Sequence, residues 1–161
     1  MHTADPLPAP PSRASTSPLP AGTRLSHAQS DNTLRAGWPV MQQLRPHLAG
    51  ADDFVTRVRR MQADGYRLLV AWRGEQALAL AGYRLQFNLV CGQFLYVDDL
   101  VTLDDLRGEG WGARLIAALQ PIAAQEGCAH FVLDTHIDNT AAQRFYARQG
   151  LANRAIRFSR A

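Results

Sequence analysis

The chain has 161 residues, of which 47% are apolar and 19% are charged, a composition that supports one domain with a sizeable core. Its formal net charge of +3 is too small to require a nucleic-acid partner. Two cysteines, Cys91 and Cys128, are too few for a disulfide scaffold or a four-cysteine zinc site. No apolar run approaches the roughly 20 residues that span a bilayer.

The N-terminal segment, residues 1–22, is rich in proline and small polar residues. Six of the nine prolines precede Ala21, and this composition cannot bury enough apolar area to offset its ordering entropy. We therefore expect a disordered tail over 1–22 and a folded domain over 23–161. Because the tail has no apolar stretch typical of a signal peptide, a cytoplasmic protein is expected.

Two helices are expected at the start of the domain. The first opens after Pro39, where apolar residues recur at helical spacing, and Pro46 shortens or bends it. The second is capped by Asp52 and ends at Gly65. The apolar faces of the two helices consist of Val40, Leu44 and Leu48, and of Phe54, Val58 and Met61.

In the rest of the chain, extended segments alternate with helices. Pro121 should kink or end the helix that contains it. This alternation indicates a mixed α/β fold rather than a helical bundle. The predicted strands are 68–72, 77–85, 94–103 and 130–134, with a last extended piece around Phe158; one helix carries Leu115, Leu119 and Ile122, and another covers 140–149.

A glycine-rich turn, residues 107–112 with the sequence Arg-Gly-Glu-Gly-Trp-Gly, separates the long strand from the helix that follows. Glycines let a backbone approach a ligand closely, and the first amides of a helix lack intrahelical acceptors. The turn can therefore bind an anion such as a pyrophosphate; the alternative is a tight turn with no ligand. Neither a nucleotide P-loop nor a dinucleotide-binding fold matches this spacing.

Two stretches of the chain resemble the GNAT superfamily of N-acetyltransferases. Residues 100–112, an extended Leu-Val-Thr followed by Arg-x-x-Gly-x-Gly, are similar to its acyl-CoA signature. Residues 139–150, which begin with Asn and carry Phe-Tyr before a terminal Gly, are similar to its second hallmark. The resemblance covers 23–161 and implies an α/β (α+β) fold. Its sheet would be mixed and mostly antiparallel, with splayed fourth and fifth strands and helices on both faces.

The same resemblance implies acetyl-CoA as the cosubstrate. Its pantetheine arm would lie between the splayed strands, and its pyrophosphate would meet the amides of the glycine turn. The cofactor-binding residues that the resemblance implies are Leu100, Val101 and Thr102 in the strand, Arg107, Gly108, Glu109, Gly110, Trp111, Gly112 and Ala113 in the turn, and Asn139 and Tyr146 in the second motif.

Three residues are candidates for the catalytic proton transfers. The resemblance places the Tyr146 hydroxyl beside the thioester sulfur, where it can protonate the departing thiolate; the alternative is a packing aromatic. The amine must also lose a proton, and Asp98 and Asp99 lie on the strand beside the thioester. Adjacent strand residues face opposite sides unless a bulge intervenes.

A similarity to diamine acetyltransferases favours Asp98 over Asp99 as the residue that handles the amine. The alternative for both is a carboxylate that orders a neighbouring loop. An acidic cleft would also attract a cationic amine.

The predicted function is an acetyl-CoA-dependent N-acetyltransferase in which a primary amine attacks the thioester directly in a ternary complex. The expected acceptor is a small amine, polyamine-like or aminoglycoside-like. The alternatives are a protein or peptide N-acetyltransferase, a non-catalytic acyl-CoA-binding regulatory module, and a nucleic-acid-binding protein that uses the arginine-rich C-terminus. For those arginines a solvated basic face is preferred, so neither a nucleic acid nor a membrane is expected as partner.

Two further expectations concern chemistry and assembly. All 17 basic residues are arginine, which excludes covalent catalysis by lysine, and no histidine pair has the spacing of a metal site, so no metal is expected. Only 11 residues follow Gly150, too few for two closing strands. A partner subunit could then complete the substrate wall, which makes a homodimer possible.

Overall fold

The computed structural model describes residues 17–160; residues 1–16 of the tail expected over 1–22, and Ala161, lie outside the described residues. The first strand begins at Thr23, where the folded domain was expected to start. In chain order the elements are β1 (Thr23–His27), α1 (Asp31–Leu44), α2 (Ala51–Ala63), β2 (Arg67–Arg73), β3 (Gln76–Asn88), β4 (Gly92–Thr102), a one-turn 3-10 helix (Asp104–Leu106), α3 (Trp111–Gln125), β5 (His130–Leu133) and α4 (Thr140–Arg148).

The five strands form one sheet in the order β1-β2-β3-β4-β5. The first three pairs are antiparallel and β4–β5 is parallel. The parallel ladder covers only Phe94–Val97 of β4, so residues 98–102 have no strand on that edge within the described part of the chain. The predicted mostly antiparallel sheet, with its fourth and fifth strands splayed, is therefore confirmed.

Helices cover both faces of this sheet, as predicted. In β2, Leu68 and Val70 pack with α1 and α2, whereas Leu69 and Ala71 pack with α3. Alternate residues of a strand point to opposite faces, and both sets are buried here. A strand covered on both faces has an almost continuous apolar sequence, which is why 68–72 is so uniformly hydrophobic.

The first helix begins earlier than the sequence predicted. It starts at Asp31 because Ser30 forms a capping box with Thr33: the Ser30 side chain accepts from the Thr33 amide, and the Thr33 side chain accepts from the Ser30 amide. Pro39 therefore lies inside the helix. The helix ends at Leu44, because the residue before Pro46 is disfavoured in helical conformation.

The cap predicted for the second helix is also wrong. The N-cap is Gly50, not Asp52, and no side chain among the described residues caps this helix. Instead, Asp53 in the first turn accepts a hydrogen bond from the Ala49 amide at 3.1 Å. The pKa of the Asp53 carboxyl is lowered, first by its hydrogen bond from Arg57 and then by this amide.

Two expectations near the C-terminus differ from the structure. Pro121 does not end α3, which continues to Gln125 because Leu119 and Ala123, on either side of the proline, are buried in the core. The extended piece around Phe158 is not a strand: residues 149–160 form no helix or strand, and Phe158 is 92% exposed.

Candidate active site

A β-bulge shapes the centre of the candidate site. In the β3–β4 ladder, Gly82 faces Asp99 and Tyr83 faces Val97, which leaves Asp98 without an opposite residue. The extra residue changes the alternation of the strand. Asp98 and Asp99 therefore line the same cavity, although they are adjacent in sequence.

The cavity lies between the sheet and the first two helices and has a volume of about 650 Å³. Phe54, Val58 and Met61 line its apolar wall, so the face predicted to be core also forms part of a binding surface. The lining also contains seven charged side chains and a histidine: Arg45, Arg57, Arg84, Arg157, Asp98, Asp99, Asp134 and His47. The acidic cleft that the sequence suggested is absent from the described residues, since these four arginines outnumber the three aspartates.

Asp99 is held from both sides in the interior. Its Oδ1 accepts from Arg45 Nε at 3.0 Å, and its Oδ2 accepts from the Tyr66 hydroxyl at 2.8 Å. Burial, followed by the charge of Asp99, raises the pKa of Tyr66 well above its usual range, so this hydroxyl keeps its proton. Asp99 thereby ties the end of α1 to β4 through side chains, and not through the backbone amides of a loop.

A glycine makes room for this arrangement. A Cβ at Gly82 would lie 1.9 Å from the Tyr66 hydroxyl oxygen and 2.5 Å from its nearest ring carbon. Only glycine lets the tyrosine ring lie flat on β3 and reach Asp99. Neither Gly82 nor Tyr66 belongs to a recognisable motif, so sequence reasoning missed both.

Asp98 forms a two-point ion pair with β3. Arg84 donates to its two carboxylate oxygens, from Nε at 3.1 Å and from Nη2 at 2.6 Å. The hydrogen bonds that Arg84 donates to Asp98, and then the negative charge of Asp98, raise the pKa of Arg84, while burial opposes them. Arg45 also donates to the backbone carbonyl of Asp98 at 3.1 Å. This network holds the bulge in a fixed conformation.

A third cluster closes the cavity at the end of β5. The Tyr96 hydroxyl donates to Asp134 Oδ2 at 2.7 Å, and Arg157 donates to the same oxygen at 2.6 Å. Burial, and then the hydrogen bond to Asp134, raises the pKa of Tyr96 to about 12. Arg157 belongs to the segment expected to be a solvated basic face. Its side chain is 71% exposed, and it also pairs with Asp134 and lines the cavity.

The glycine turn has the backbone geometry of an anion site. Gly108 and Gly110 have φ of +86° and +82°, and Gly110 is the N-cap of α3 with no side-chain cap from the described residues. A Cβ at Gly108 would meet nothing within 4 Å, so the backbone is open to a ligand. The first amide of α3 with an intrahelical acceptor is that of Arg114, which donates to the Gly110 carbonyl at 3.1 Å. The Arg114 side chain adds positive charge to the turn. The Glu109 amide donates to the Leu106 carbonyl at 3.3 Å, but the first amides of α3 lack intrahelical acceptors. An acyl-CoA pyrophosphate fits this open helix start.

The two motifs meet in space although 26 residues separate Gly112 from Asn139. A Cβ on Gly112 would lie 3.0 Å from the ring of Phe145, so α4 packs against the start of α3. Asn139 is the N-cap of α4 and accepts from the Ala142 amide at 3.1 Å. The next residue after Phe145 is the half-buried Tyr146, and burial raises the pKa of its hydroxyl above the usual value.

The remaining predicted site residues take varied positions. In β4, Leu100 and Thr102 are half-buried and Val101 is buried, all beyond the end of the β4–β5 ladder. In the turn, Arg107 pairs with Asp104 at 2.6 Å. The indole nitrogen of Trp111 donates to Glu109 at 3.3 Å, while Ala113 follows in the first turn of α3. The structure thus brings the strand, the turn and the two aspartates to one end of the sheet.

Within residues 17–160, no helix is long and apolar enough to cross a membrane. No group of three or more histidine, cysteine, aspartate or glutamate side chains in this range has the arrangement of a metal site.

Comparison with known proteins assigns the family. The family model described as "Acetyltransferase (GNAT) family" matches residues 34–151. The chain is 31% identical over 107 residues to an aminoglycoside N(6')-acetyltransferase type 1 of Serratia marcescens, covering 63% of this chain and 73% of the relative. It is 32% identical over 97 residues to an aminoalkylphosphonate N-acetyltransferase of Salmonella typhimurium, covering 60% of this chain and 62% of the relative.

Solved structures share the fold. An aminoglycoside N-acetyltransferase in complex with CoA superposes with a TM-score of 0.71 at 23% identity, covering 89% of this chain and 98% of that one. With the family match over most of the chain, the protein belongs to the acetyltransferase (GNAT) family. It is a GNAT-type N-acetyltransferase, and its acetyl donor is acetyl-CoA.

Proposed function

We propose that the protein transfers the acetyl group of acetyl-CoA to the primary amine of a small molecule, with both substrates bound at once. The observation that carries this proposal is the bulge at Asp98: the unpaired edge of β4 begins there, and the cavity of about 650 Å³ opens at the same two aspartates. A cavity of that size suits a small molecule. The two relatives are named for an aminoglycoside and an aminoalkylphosphonate, both small amines.

On the donor side, backbone groups do most of the binding. The free edge at Leu100, Val101 and Thr102 would hydrogen-bond the pantetheine arm, and the amides of 108–113 would bind the pyrophosphate. Support comes from the uncapped start of α3. Asn139 would reach the pantetheine through its amide nitrogen, since its oxygen already caps α4. When bound, acetyl-CoA supplies a thioester carbonyl that a free amine can attack.

Tyr146 is proposed as the general acid. As the amine nitrogen bonds to the acetyl carbon, the carbon–sulfur bond breaks, and the hydroxyl gives its proton to the departing thiolate. A raised pKa keeps this hydroxyl protonated at neutral pH. A backbone amide of the Leu100–Val101 strand would stabilise the oxyanion.

Asp98 is proposed to take the proton of the incoming ammonium, directly or through one water. Asp99 is a poorer candidate, because its side chain is only 9% exposed and one of its oxygens is bonded to the buried Tyr66 hydroxyl. The Asp98–Arg84 pair is more accessible, with side-chain exposures of 14% and 26%, so a substrate can contact it. The role of Asp99 is then to hold the bulge that presents Asp98.

The test is acetyl transfer itself. Purified protein is given acetyl-CoA and a panel of small amines together with peptides bearing free N-termini, and both CoA thiol release and the acetylated product are measured. Small amines should be acetylated and peptides should not, and Asp98→Asn should lower kcat with acetyl-CoA binding retained. Preferential acetylation of peptides would replace the proposal with protein N-acetylation. CoA binding without thiol release from any amine would contradict it.

The other expectations stay predictions. Sedimentation analysis measures the proposed homodimer, and cell fractionation measures the proposed cytoplasmic location. Retention on DNA at several salt concentrations checks that no nucleic acid is bound, because phosphate contacts weaken steeply as salt rises.

A further inference from the structure

The charges of the acceptor cavity are almost fully matched among themselves. An aspartate with an unpaired carboxylate would attract an additional cation, but each aspartate of the lining is already bonded to an arginine of the lining. The three pairs are Arg84 with Asp98, Arg45 with Asp99, and Arg157 with Asp134.

The fourth arginine of the lining enters from the opposite wall. Arg57 projects from α2, whereas the aspartates come from β4 and the end of β5. Its Nε donates to Asp53 at 2.9 Å, and Asp53 is not part of the lining. The two terminal nitrogens of Arg57 have no acceptor among residues 17–160, which leaves a forked pair of N–H donors facing the cavity.

The arginines that pair with Asp98 and Asp99 also have N–H groups that take no part in those pairs. Arg45 and Arg84 use Nε and Nη2 in their pairs with Asp99 and Asp98, so in each guanidinium the Nη1 group has no acceptor within the described range. Planar guanidinium N–H groups are well suited to phosphate, phosphonate and carboxylate oxygens. Within residues 17–160, the cavity therefore offers guanidinium N–H donors that have no acceptor, but no carboxylate that lacks an arginine partner.

We infer that the acceptor is a primary amine that also carries an anionic group, and that Arg57 binds this anion while the amine faces Asp98. The inference rests on the proposed function and narrows its acceptor class. A polycation would have to displace an arginine from an aspartate and would add positive charge to a lining that already has four arginines and three aspartates. A zwitterionic amine meets a donor at one end and a carboxylate at the other.

Matched amine pairs test the inference. The first pair is glucosamine 6-phosphate with glucosamine, and the second is 2-aminoethylphosphonate with ethanolamine; spermidine represents the polycations. For each compound we would measure kcat/KM by thiol release and, separately, binding to CoA-saturated protein by calorimetry. The anionic member of each pair should be favoured by about tenfold or more in both measurements, as expected for charge-assisted hydrogen bonds.

Two arginines of the same helix provide variant and control. Arg57→Gln should lower the affinity for the anionic members about tenfold, leave the neutral members within twofold, and leave acetyl-CoA binding unchanged. Arg60→Gln removes the same charge from an exposed residue of α2 outside the lining and should change none of these values. A circular dichroism melt would confirm that both variants fold.

The outcomes separate the inference from the proposed function. Equal or better binding of the neutral amines or spermidine, no binding of either member of either pair, or an identical loss in both variants would overturn the inference, even if other amines are acetylated. Absence of thiol release with every amine would contradict the proposed function instead. In that case the calorimetric preference still decides the acceptor class.

Discussion

The two ends of the site, which meet at Asp98, are built from different chemical groups. The donor end, residues 100–113, presents unpaired backbone: a free strand edge and an uncapped helix start. The acceptor end presents side chains in ion pairs that tie β4 to β3, to the end of α1 and, through Asp134, to the C-terminal segment. In the proposed function, backbone groups would bind acetyl-CoA and side chains would select the acceptor.

This difference has consequences for variation. A backbone site tolerates many side chains but requires glycine where φ is positive or a ligand approaches closely. A network of paired charges depends on each partner, because losing one leaves the other unpaired in a partly buried place. We therefore expect substitution of the glycines to impair the donor end most. At the acceptor end, we expect the largest effects from substituting residues that hold the ion pairs.

The largest effect is expected at the donor end. Gly110→Asp places a carboxylate at the start of α3, in a conformation with φ of +82°, where it repels a pyrophosphate. Calorimetry should show acetyl-CoA binding weakened by about 100-fold or more. Gly74→Asp is the control, since Gly74 also has positive φ but lies in the β2–β3 turn. A Cβ there would meet nothing within 4 Å, whereas a Cβ at Gly110 would lie 3.2 Å from Arg114 Nη1. Equal weakening in both variants would contradict a pyrophosphate site at the turn.

The next effect is on turnover. Tyr146→Phe removes the proposed proton donor, so kcat should fall about 100-fold, while the Kd for acetyl-CoA stays within twofold. Thiol release measures kcat, and calorimetry measures the Kd for acetyl-CoA. An unchanged kcat would return Tyr146 to the packing role that the sequence left open.

A third prediction concerns the acceptor end and its stability. Gly82→Ala forces a Cβ to within 1.9 Å of the Tyr66 hydroxyl, which must shift the ring away from Asp99 and cost about 3 kcal/mol of unfolding free energy. Urea unfolding measures it. Gly37→Ala in α1 is the control: its Cβ would meet only ordinary contacts, the nearest at 3.7 Å, and should stabilise the helix by about 0.5 kcal/mol. If Gly82→Ala leaves the free energy of unfolding unchanged or raises it, as the control should, then Gly82 is not needed to fix the Tyr66 ring.

The smallest effect lies outside both ends, on β1. His27 Nε2 lies 2.8 Å from the Tyr83 hydroxyl, and burial, followed by repulsion from Arg67, lowers its pKa. The pKa of His27 therefore lies below its ordinary value of about 6.5 in the folded protein. The unfolded chain binds the proton more tightly than the folded one. This contribution to stability is complete above pH 6.5 and is lost as pH falls through the lowered pKa.

His27→Gln, which does not titrate, should flatten the dependence of unfolding free energy on pH between about 7.5 and 5. Urea unfolding of both proteins at several pH values in this range measures the difference. If the free energy of unfolding depends on pH in the same way in both proteins, groups other than His27 cause the loss of stability at low pH.

Much of the donor end was predictable from sequence because its signals are local. The glycine turn at 107–112 and the Asn-to-Gly run at 139–150 each lie within a dozen consecutive residues, and their resemblance to the GNAT motifs implied the splayed sheet. Helix starts were less well predicted. The capping box of Ser30 overrode the helix-breaking tendency of Pro39, since one proline is tolerated where packing holds the turns on both sides.

The sequence by itself determined the class of protein, the fold and the turn that fits acetyl-CoA, because these depend on short patterns of glycine and apolar residues. Only the tertiary structure decided the acceptor cavity. The register shift that aims Asp98 and Asp99 at one cavity depends on the pairing of β4 with β3. The arginines that neutralise them come from 14 to 54 residues away. Such pairs leave no local signal, since each is fixed by the packing of distant elements and not by neighbours in the chain.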